Sequence, residues 1–139
     1  MSENCLFCKI IDGKVTARKV YEDEKVFVFE DINPQAPTHV LIVPKKHIAG
    51  LKEATPEDAE LIGYCQLIAA KLGQERGIED GYRTVYNVGP KSGQSVFHLH
   101  LHLIVGSRHE MAAGLNRSSW PVGRSQVLKM NPLCVSVSL

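Results

Sequence analysis

The run His98-Leu99-His100-Leu101-His102-Leu103 alternates imidazole and leucine without a break. A helix would scatter three such histidines, whereas in a strand residues two apart share a face. Read as a strand over residues 96–105, the run puts three imidazoles on one wall and three leucines on the other. The leucine side then needs an apolar layer to cover it, so the chain has to build a sheet with something packed on that face. An amphipathic strand with incidental histidines accounts for one imidazole far more easily than for three in register. The triplet therefore also marks a candidate site.

The rest of the chain supplies the other elements. Residues 7–11 read as a helical turn closing at Gly13. Residues 18–22 and 25–30 read as two strands joined tightly at Asp23-Glu24, the second carrying Val26-Phe27-Val28-Phe29. A turn-rich loop over residues 31–37 holds Pro34 and Pro37 and leads to a third strand, residues 39–43, stopped by Pro44. The clearest helix opens at Thr55-Pro56-Glu57-Asp58, with Thr55 placed to cap and Pro56 suited to the first helical position. Leu61, Cys65, Ile68 and Leu72 then form an apolar stripe that ends near Gly77. On that stripe Cys65 reads as a small core residue. Residues 82–88 read as a fourth strand, separated from the histidine strand by Gly89-Pro90-Lys91-Ser92-Gly93-Gln94-Ser95. Strands and helices are segregated, which predicts an α+β fold: a five-stranded antiparallel sheet, one main helix on a face and a short N-terminal helix. Periodicity fades beyond Gly106, so the expected division is a domain over 1–106 and a separate tail over 107–139.

Charge narrows the partners. Sixteen basic residues against fifteen acidic ones leave a net charge of +1, too little for the electrostatic footprint of nucleic-acid binding. There is no run of apolar residues long enough to span a membrane and no signal-peptide pattern at the start, so a cytoplasmic protein with neither nucleic-acid nor membrane partner is expected. Cys5 and Cys8 form a Cys-x-x-Cys pair, which without a secretion signal points to metal or redox chemistry. Zinc accepts mixed sulfur and nitrogen ligands in a tetrahedron, and two further ligands would be needed.

A neutral imidazole can attack phosphorus or bind a metal, and an ordinary pKa of about 6.5 keeps much of it neutral at working pH. Gly93-Gln94-Ser95, just ahead of the triplet, lets backbone amides approach an anion closely. An ordinary turn would look the same without the adjacent histidines.

Three segments together resemble the histidine-triad (HIT) superfamily, most nearly its purine nucleoside phosphoramidase branch. They are the stretch from Pro37-Thr38-His39 to Pro44-Lys45-Lys46-His47, Asn87-x-Gly89, and Gly93-Gln94-Ser95-Val96-Phe97 with the triplet. The resemblance runs from about Cys5 to Gly106. It implies a HIT-like fold and a hydrolase that cleaves nucleoside 5′-phosphoramidates or related nucleotidyl conjugates, releasing a nucleoside monophosphate. By the same resemblance His100 is the nucleophile, with His102, His39 and Ser95 completing the catalytic group. Gly93, the Gln94 amide, Ser95 and Asn87 would surround the phosphate, and Asp31 would hold the ribose hydroxyls. Phe7, Ile10, Val15, Phe29 and Ile32 would line a pocket for a purine base, as AMP or GMP. Some relatives join a Cys-x-x-Cys pair to a histidine after the Pro-Lys segment and to the first triad histidine. Here that implies a structural zinc on Cys5, Cys8, His47 and His98, and no magnesium.

A dinucleoside polyphosphate hydrolase or a nucleotidyltransferase of the same superfamily would carry the same motif, as would a non-catalytic nucleotide-binding module. A cupin-like metal enzyme using His100 and His102 as ligands would want a carboxylate nearby, and the first after the triplet is Glu110. The domain is small and its helix and sheet leave apolar surface to cover; together with the resemblance this predicts a homodimer sharing one continuous sheet. One departure from the family pattern stands out. Its Trp-Pro element normally follows soon after the triad, whereas Trp120-Pro121 arrives late and the chain continues to Leu139.

Overall fold

Val26, Phe27, Val28 and Phe29 are all buried, and their alternation decides how the layers stack. In a computed structural model describing residues 3–105, the two valines face one helix and the two phenylalanines face another. The chain runs α1 (Leu6–Ile11), β1 (Lys19–Glu22), β2 (Val26–Glu30), β3 (Thr38–Pro44), α2 (Ala59–Glu75), β4 (Arg83–Val85) and β5 (Leu101–Val105). The strands form one sheet in the order β1-β2-β3-β5-β4, every pair antiparallel. This is the expected α+β architecture. The tail proposed for residues 107–139, with Trp120, lies outside the described residues.

On one face Cys65, Ile68, Ala69 and Leu72 of α2 pack over Val26, Val28, Val40, Ile42, Leu101 and Leu103. These α2 residues include three of the four predicted from the helical stripe, and Cys65 is a buried core residue as its place on that stripe implied. On the opposite face α1 brings Cys5, Phe7, Cys8 and Ile10 against Phe27, Phe29, Leu41 and Val43. Both faces of the central strands are therefore covered, which is why β2 and β3 read as nearly continuous apolar runs rather than as alternating ones. At β5 the two sides differ: Leu101 and Leu103 join the α2 layer, while His102 sits opposite Leu41 on the α1 side.

Helix α2 begins one step later than its sequence signals predict. Pro56–Asp58 forms a 3₁₀ turn first, and the Asp58 carboxylate accepts the Thr55 amide N–H at 2.9 Å. Its far end matches expectation: Gly77 adopts φ +66, and the amide of Ile78 donates to the Gly73 carbonyl at 2.9 Å, closing the helix in a left-handed turn.

Two strands are shorter than predicted. The predicted fourth strand, residues 82–88, is Arg83–Val85, after which Gly89 (φ +81) and Pro90 turn the chain into the 3₁₀ turn Pro90–Ser92. The histidine strand, predicted over residues 96–105, is Leu101–Val105, so His98 and His100 precede the ladder. The cause is Pro44, which takes part in β3 rather than stopping it. Continuing the β3–β5 register beyond Ile42↔Leu101 would set Pro44 against Leu99. Proline has no N–H to give, its carbonyl oxygen is taken by the His98 ring at 2.7 Å, and the Leu99 amide donates to Ile48 at 2.6 Å. The two chains part there.

Candidate functional site

On the α1 face, each imidazole has a neighbour that decides where its proton lies. A carbonyl oxygen only accepts, so His98 Nε2, 2.7 Å from the Pro44 oxygen, carries the proton. The lone pair of His98 Nδ1 is left facing Cys5 Sγ at 3.4 Å, Cys8 Sγ at 3.5 Å and His47 Nδ1 at 3.2 Å. His100 is protonated the other way round: its Nδ1 donates to the His98 carbonyl at 2.6 Å, which leaves Nε2 with the free lone pair. The Phe7 ring edge supports the His100 ring at a centroid distance of 5.0 Å.

His39 and His102 form a second chain. The Gln35 amide donates to His39 Nδ1 at 3.0 Å, so the proton of His39 is on Nε2, 2.8 Å from His102 Nδ1 and 3.3 Å from Asp31 Oδ2. With its Nδ1 accepting, His102 bears its proton on Nε2, and the Asn87 side-chain amide, 3.4 Å away, can accept it only with its oxygen turned to the ring. Asp31, His39 and His102 bring enough donor atoms together to resemble a metal trio. A metal on His39 Nε2, however, would force a proton onto Nδ1 against the Gln35 N–H, so the trio is a hydrogen-bonded chain.

Burial keeps these rings neutral. It pushes His98 down to about 4, outweighing the Pro44 carbonyl, and pushes His102 to about 4 with help from His100 and His39. His100 is lowered by burial against the opposing pull of the His98 carbonyl and Asp31, and His39 is lowered by burial against Asp31 and Glu30. A buried neutral imidazole with an open nitrogen is a nucleophile or a ligand rather than a cation.

A cavity of about 820 Å³ opens beside this wall. Of the residues expected to hold a nucleotide, Phe7, Ile10, Val15, Phe29, Asp31, Ile32, Gly93 and Ser95 line it, together with His100 and His102. Phe7 and Phe29 meet edge to face at 5.4 Å, and Ile32, 89 % exposed, stands on the rim. Three expected residues lie elsewhere. His39 and Asn87 stand behind His102, and the Gln94 side chain turns inward, accepting the Gly89 N–H at 2.9 Å and donating to the Ala49 carbonyl at 2.9 Å. The Gln94 amide N–H lies 3.3 Å from the Gly89 oxygen. Asp31 accepts the Asn33 amide on Oδ1. The sequence reading missed Thr16, Ala17, Arg18 and Asn33 along the cavity, which no spacing marked. It also missed the Pro44, His98 and Gln35 backbone groups that set the tautomers, since backbone partners leave no trace in residue identity.

Cys5, Cys8, His47 and His98 bring their ligand atoms within 4.8 Å of one another. Metal–ligand bonds of about 2.0–2.3 Å imply tetrahedral edges of roughly 3.3–3.8 Å. The contacts from His98 given above and the 3.3 Å separation of Cys8 Sγ from His47 Nδ1 are close to such edges. The donor set fits zinc, and the two thiols come from Cys8 of α1 and the residue that caps that helix, Cys5, whose Sγ lies 3.5 Å from the Cys8 amide.

Fold and site together define a class: a small antiparallel α+β domain with a histidine-walled pocket beside a Cys₂His₂ cluster. The chain belongs to the HIT domain family, whose model matches residues 12–109. It is 44% identical over 120 residues to the 14 kDa zinc-binding protein of Zea mays, covering 85% of this chain and 87% of that one. Among solved structures it is similar to a HIT family hydrolase from Clostridium thermocellum, with 46% identity, a TM-score of 0.74 and coverage of 78% and 95%. It is likewise similar to a HIT family hydrolase from Legionella pneumophila, with 45% identity, a TM-score of 0.74 and coverage of 86% and 100%.

Proposed function

We propose that this protein is a nucleotide-binding hydrolase that cleaves nucleoside 5′-phosphoramidates or related nucleotidyl conjugates through a nucleotidyl-histidine intermediate. The observation that carries the reading is the 2.6 Å bond from His100 Nδ1 to the His98 carbonyl, because it leaves Nε2 with a lone pair in a ring that lines the cavity. A purine nucleotide is the substrate class: apolar residues at the α1 end receive the base, Asp31 the ribose hydroxyls, and the Gly93–Ser95 segment the phosphate. The volume lies within the range of small-molecule sites.

In this scheme His100 Nε2 attacks phosphorus and the bond from phosphorus to the leaving nitrogen breaks. The departing amine takes a proton from a group at the cavity, Ser95 Oγ–H or His102 Nε2–H. Water then attacks the phosphorus of the nucleotidyl-histidine and gives a proton back to the group that protonated the amine, while the bond from phosphorus to Nε2 breaks, releasing the nucleoside monophosphate and restoring the lone pair. Hydrogen-bond donors fixed around the phosphoryl oxygens stabilise the charge that builds in both steps. Cys5, Cys8, His47 and His98 would hold a structural zinc, whose chemistry is to tie α1 to the histidine segment. The protein works as a homodimer in which two sheets join, and residues 1–106 form the catalytic domain, with the tail setting preference for the leaving group.

The test is an assay on adenosine and guanosine phosphoramidates with dinucleoside polyphosphates as the contrast. His100→Ala is expected to lose several orders of magnitude in rate while nucleotide affinity stays within about tenfold. Rapid-quench mass spectrometry is expected to find nucleoside monophosphate on the peptide bearing His100. Full activity in the variant, or label on His98 or His102 instead, sinks the mechanism.

A further inference from the structure

Backbone conformation gives the loop ahead of the triad its shape. Gly89 and Gly93 take positive φ, and the Gly89 oxygen collects the Ser92 amide at 3.2 Å, the Ser92 hydroxyl at 2.7 Å and the Gln94 amide at 3.3 Å, while the Gly93 amide reaches Pro90 at 3.0 Å. All of these bonds stay inside the loop, so none of them fixes where it stands against its surroundings. The bond that leaves the loop comes from the Gln94 side chain. Its Nε2 donates to the Ala49 oxygen at 2.9 Å, and among the described residues no other hydrogen bond joins residues 89–97 to a different segment.

The Gln94 amide is fully used. Nε2 also donates to the Val96 oxygen at 3.2 Å, and Oε1 accepts the Gly89 N–H at 2.9 Å. Two carbonyls require hydrogens and one N–H requires an oxygen, so the partners fix which way the amide faces. The side chain is buried, which makes each lost partner costly because water does not replace it. Gly50 leaves the room: a Cβ there would stand 3.2 Å from Gln94 Nε2 and 3.3 Å from Oε1. With φ −177 its backbone is extended and open to any residue, so the missing side chain matters for space rather than for conformation.

We propose that Gln94 is a positioning residue for the phosphate end of the cavity: its side chain clamps Gly89 to Val96 and both to Ala49, and so holds its chain neighbours Gly93 and Ser95 against the substrate phosphate. The inference rests on the phosphate role proposed for Gly93–Ser95 and extends it to a side chain that turns away from the cavity. Donors stabilise a phosphoryl transition state best when they need not move as charge builds on it. A clamped loop keeps Ser95 Oγ and the nearby amides in place. Once released, the loop carries the same donors but spends less time with them aimed at phosphorus, so the chemical step slows while the base, received at the α1 end, is held as before.

The experiment uses full-length protein carrying Gln94→Met, which keeps the length of the side chain and removes its hydrogen bonds, or Gln94→Glu, which keeps the acceptor for Gly89 but turns oxygen towards two carbonyls. Amide hydrogen exchange in both is expected to quicken over residues 89–97 and to stay unchanged in the sheet. With a nucleoside phosphoramidate kcat is expected to fall about tenfold or more, with KM changed less than about threefold. Adding Ser95→Ala to Gln94→Met is expected to cost less than Ser95→Ala costs in the wild-type chain, because a released loop has already lost much of what Ser95 supplies. Gly50→Ala, which crowds the amide without touching the cavity, is expected to shift exchange and kcat in the same direction by a smaller factor; it carries the test if the Gln94 variants fail to fold. Wild-type kcat in a folded Gln94→Met protein overturns the proposal, as do fully additive losses with Ser95→Ala, which would make Gln94 a purely structural residue. If the wild-type chain turns over no phosphoramidate, the proposed reaction is what fails, and exchange alone decides the clamp: faster exchange over residues 89–97 keeps it and unchanged exchange removes it.

Discussion

At His100 one hydrogen bond decides between a proton donor and a nucleophile, and the partner is a backbone oxygen two residues away. Burial adds to this by lowering the His100 pKa below its ordinary 6.5, so the neutral ring persists further into the acid range. Activity is therefore expected to be flat through neutral pH, with its acidic break below 6.5; a break in kcat/KM above that value would contradict the assignment. Stability follows the same sign at His102. Its folded value of about 4 lies below the ordinary 6.5, so the unfolded chain takes up the proton first. Its contribution is whole above pH 6.5 and is lost as pH falls from there towards 4, a slope that denaturant midpoints measured across this window would reveal. At this scale the sequence was legible in identity alone. It named His100 and its neighbours, but the tautomer of each depended on Pro44, Gln35 and the His98 carbonyl, which no side-chain pattern reveals.

Among the elements, β3 does the most to place the site. Its even-numbered residues Val40 and Ile42 are sealed under α2, and its odd-numbered Leu41 and Val43 lie under α1. Truncating Ile42, which is fully buried, removes contacts and leaves a cavity between sheet and helix. Ile42→Ala is expected to cost about 2–5 kcal/mol, read as a lowered denaturant midpoint, and a loss under about 1 kcal/mol would mean the layer can collapse around the gap. The loop before the triad is set by backbone instead. Gly93 sits at φ +95 with nothing within 4 Å of a Cβ placed there, so Gly93→Ala tests conformation without a clash. The strain is about 1–2 kcal/mol, and because Gly93 lines the cavity kcat/KM is expected to fall along with stability; a stability loss with unchanged kcat/KM would remove Gly93 from the phosphate end. The strand and helix types were readable from periodicity. Their ends were not, because the limit of β5 is decided by what Pro44 cannot donate and what His98 takes from it.

Among the described residues β1 and β4 are the sheet edges, and Leu67 of α2 is 68 % exposed with Val88 beyond β4 at 43 %. An edge strand offers unpaired N–H and C=O groups for pairing with another chain. Light scattering at micromolar concentration is expected to return twice the chain mass, and a monomer mass would rule out the shared sheet. Among the described residues no helix is long and apolar enough to cross a membrane. By itself the sequence determined the two periodicities, the β-prone runs and the ligand types, because these follow from local sterics and from which side chains must leave water. The resemblance already gave His98 to the metal set and His100 to the nucleophile, but only the tertiary structure shows the physical reason the two part. His98 and His100 are two residues apart and chemically the same, and they diverge because the chain leaves the ladder at Pro44: one ring meets the thiols of α1, and the other keeps an open nitrogen at the wall of a pocket.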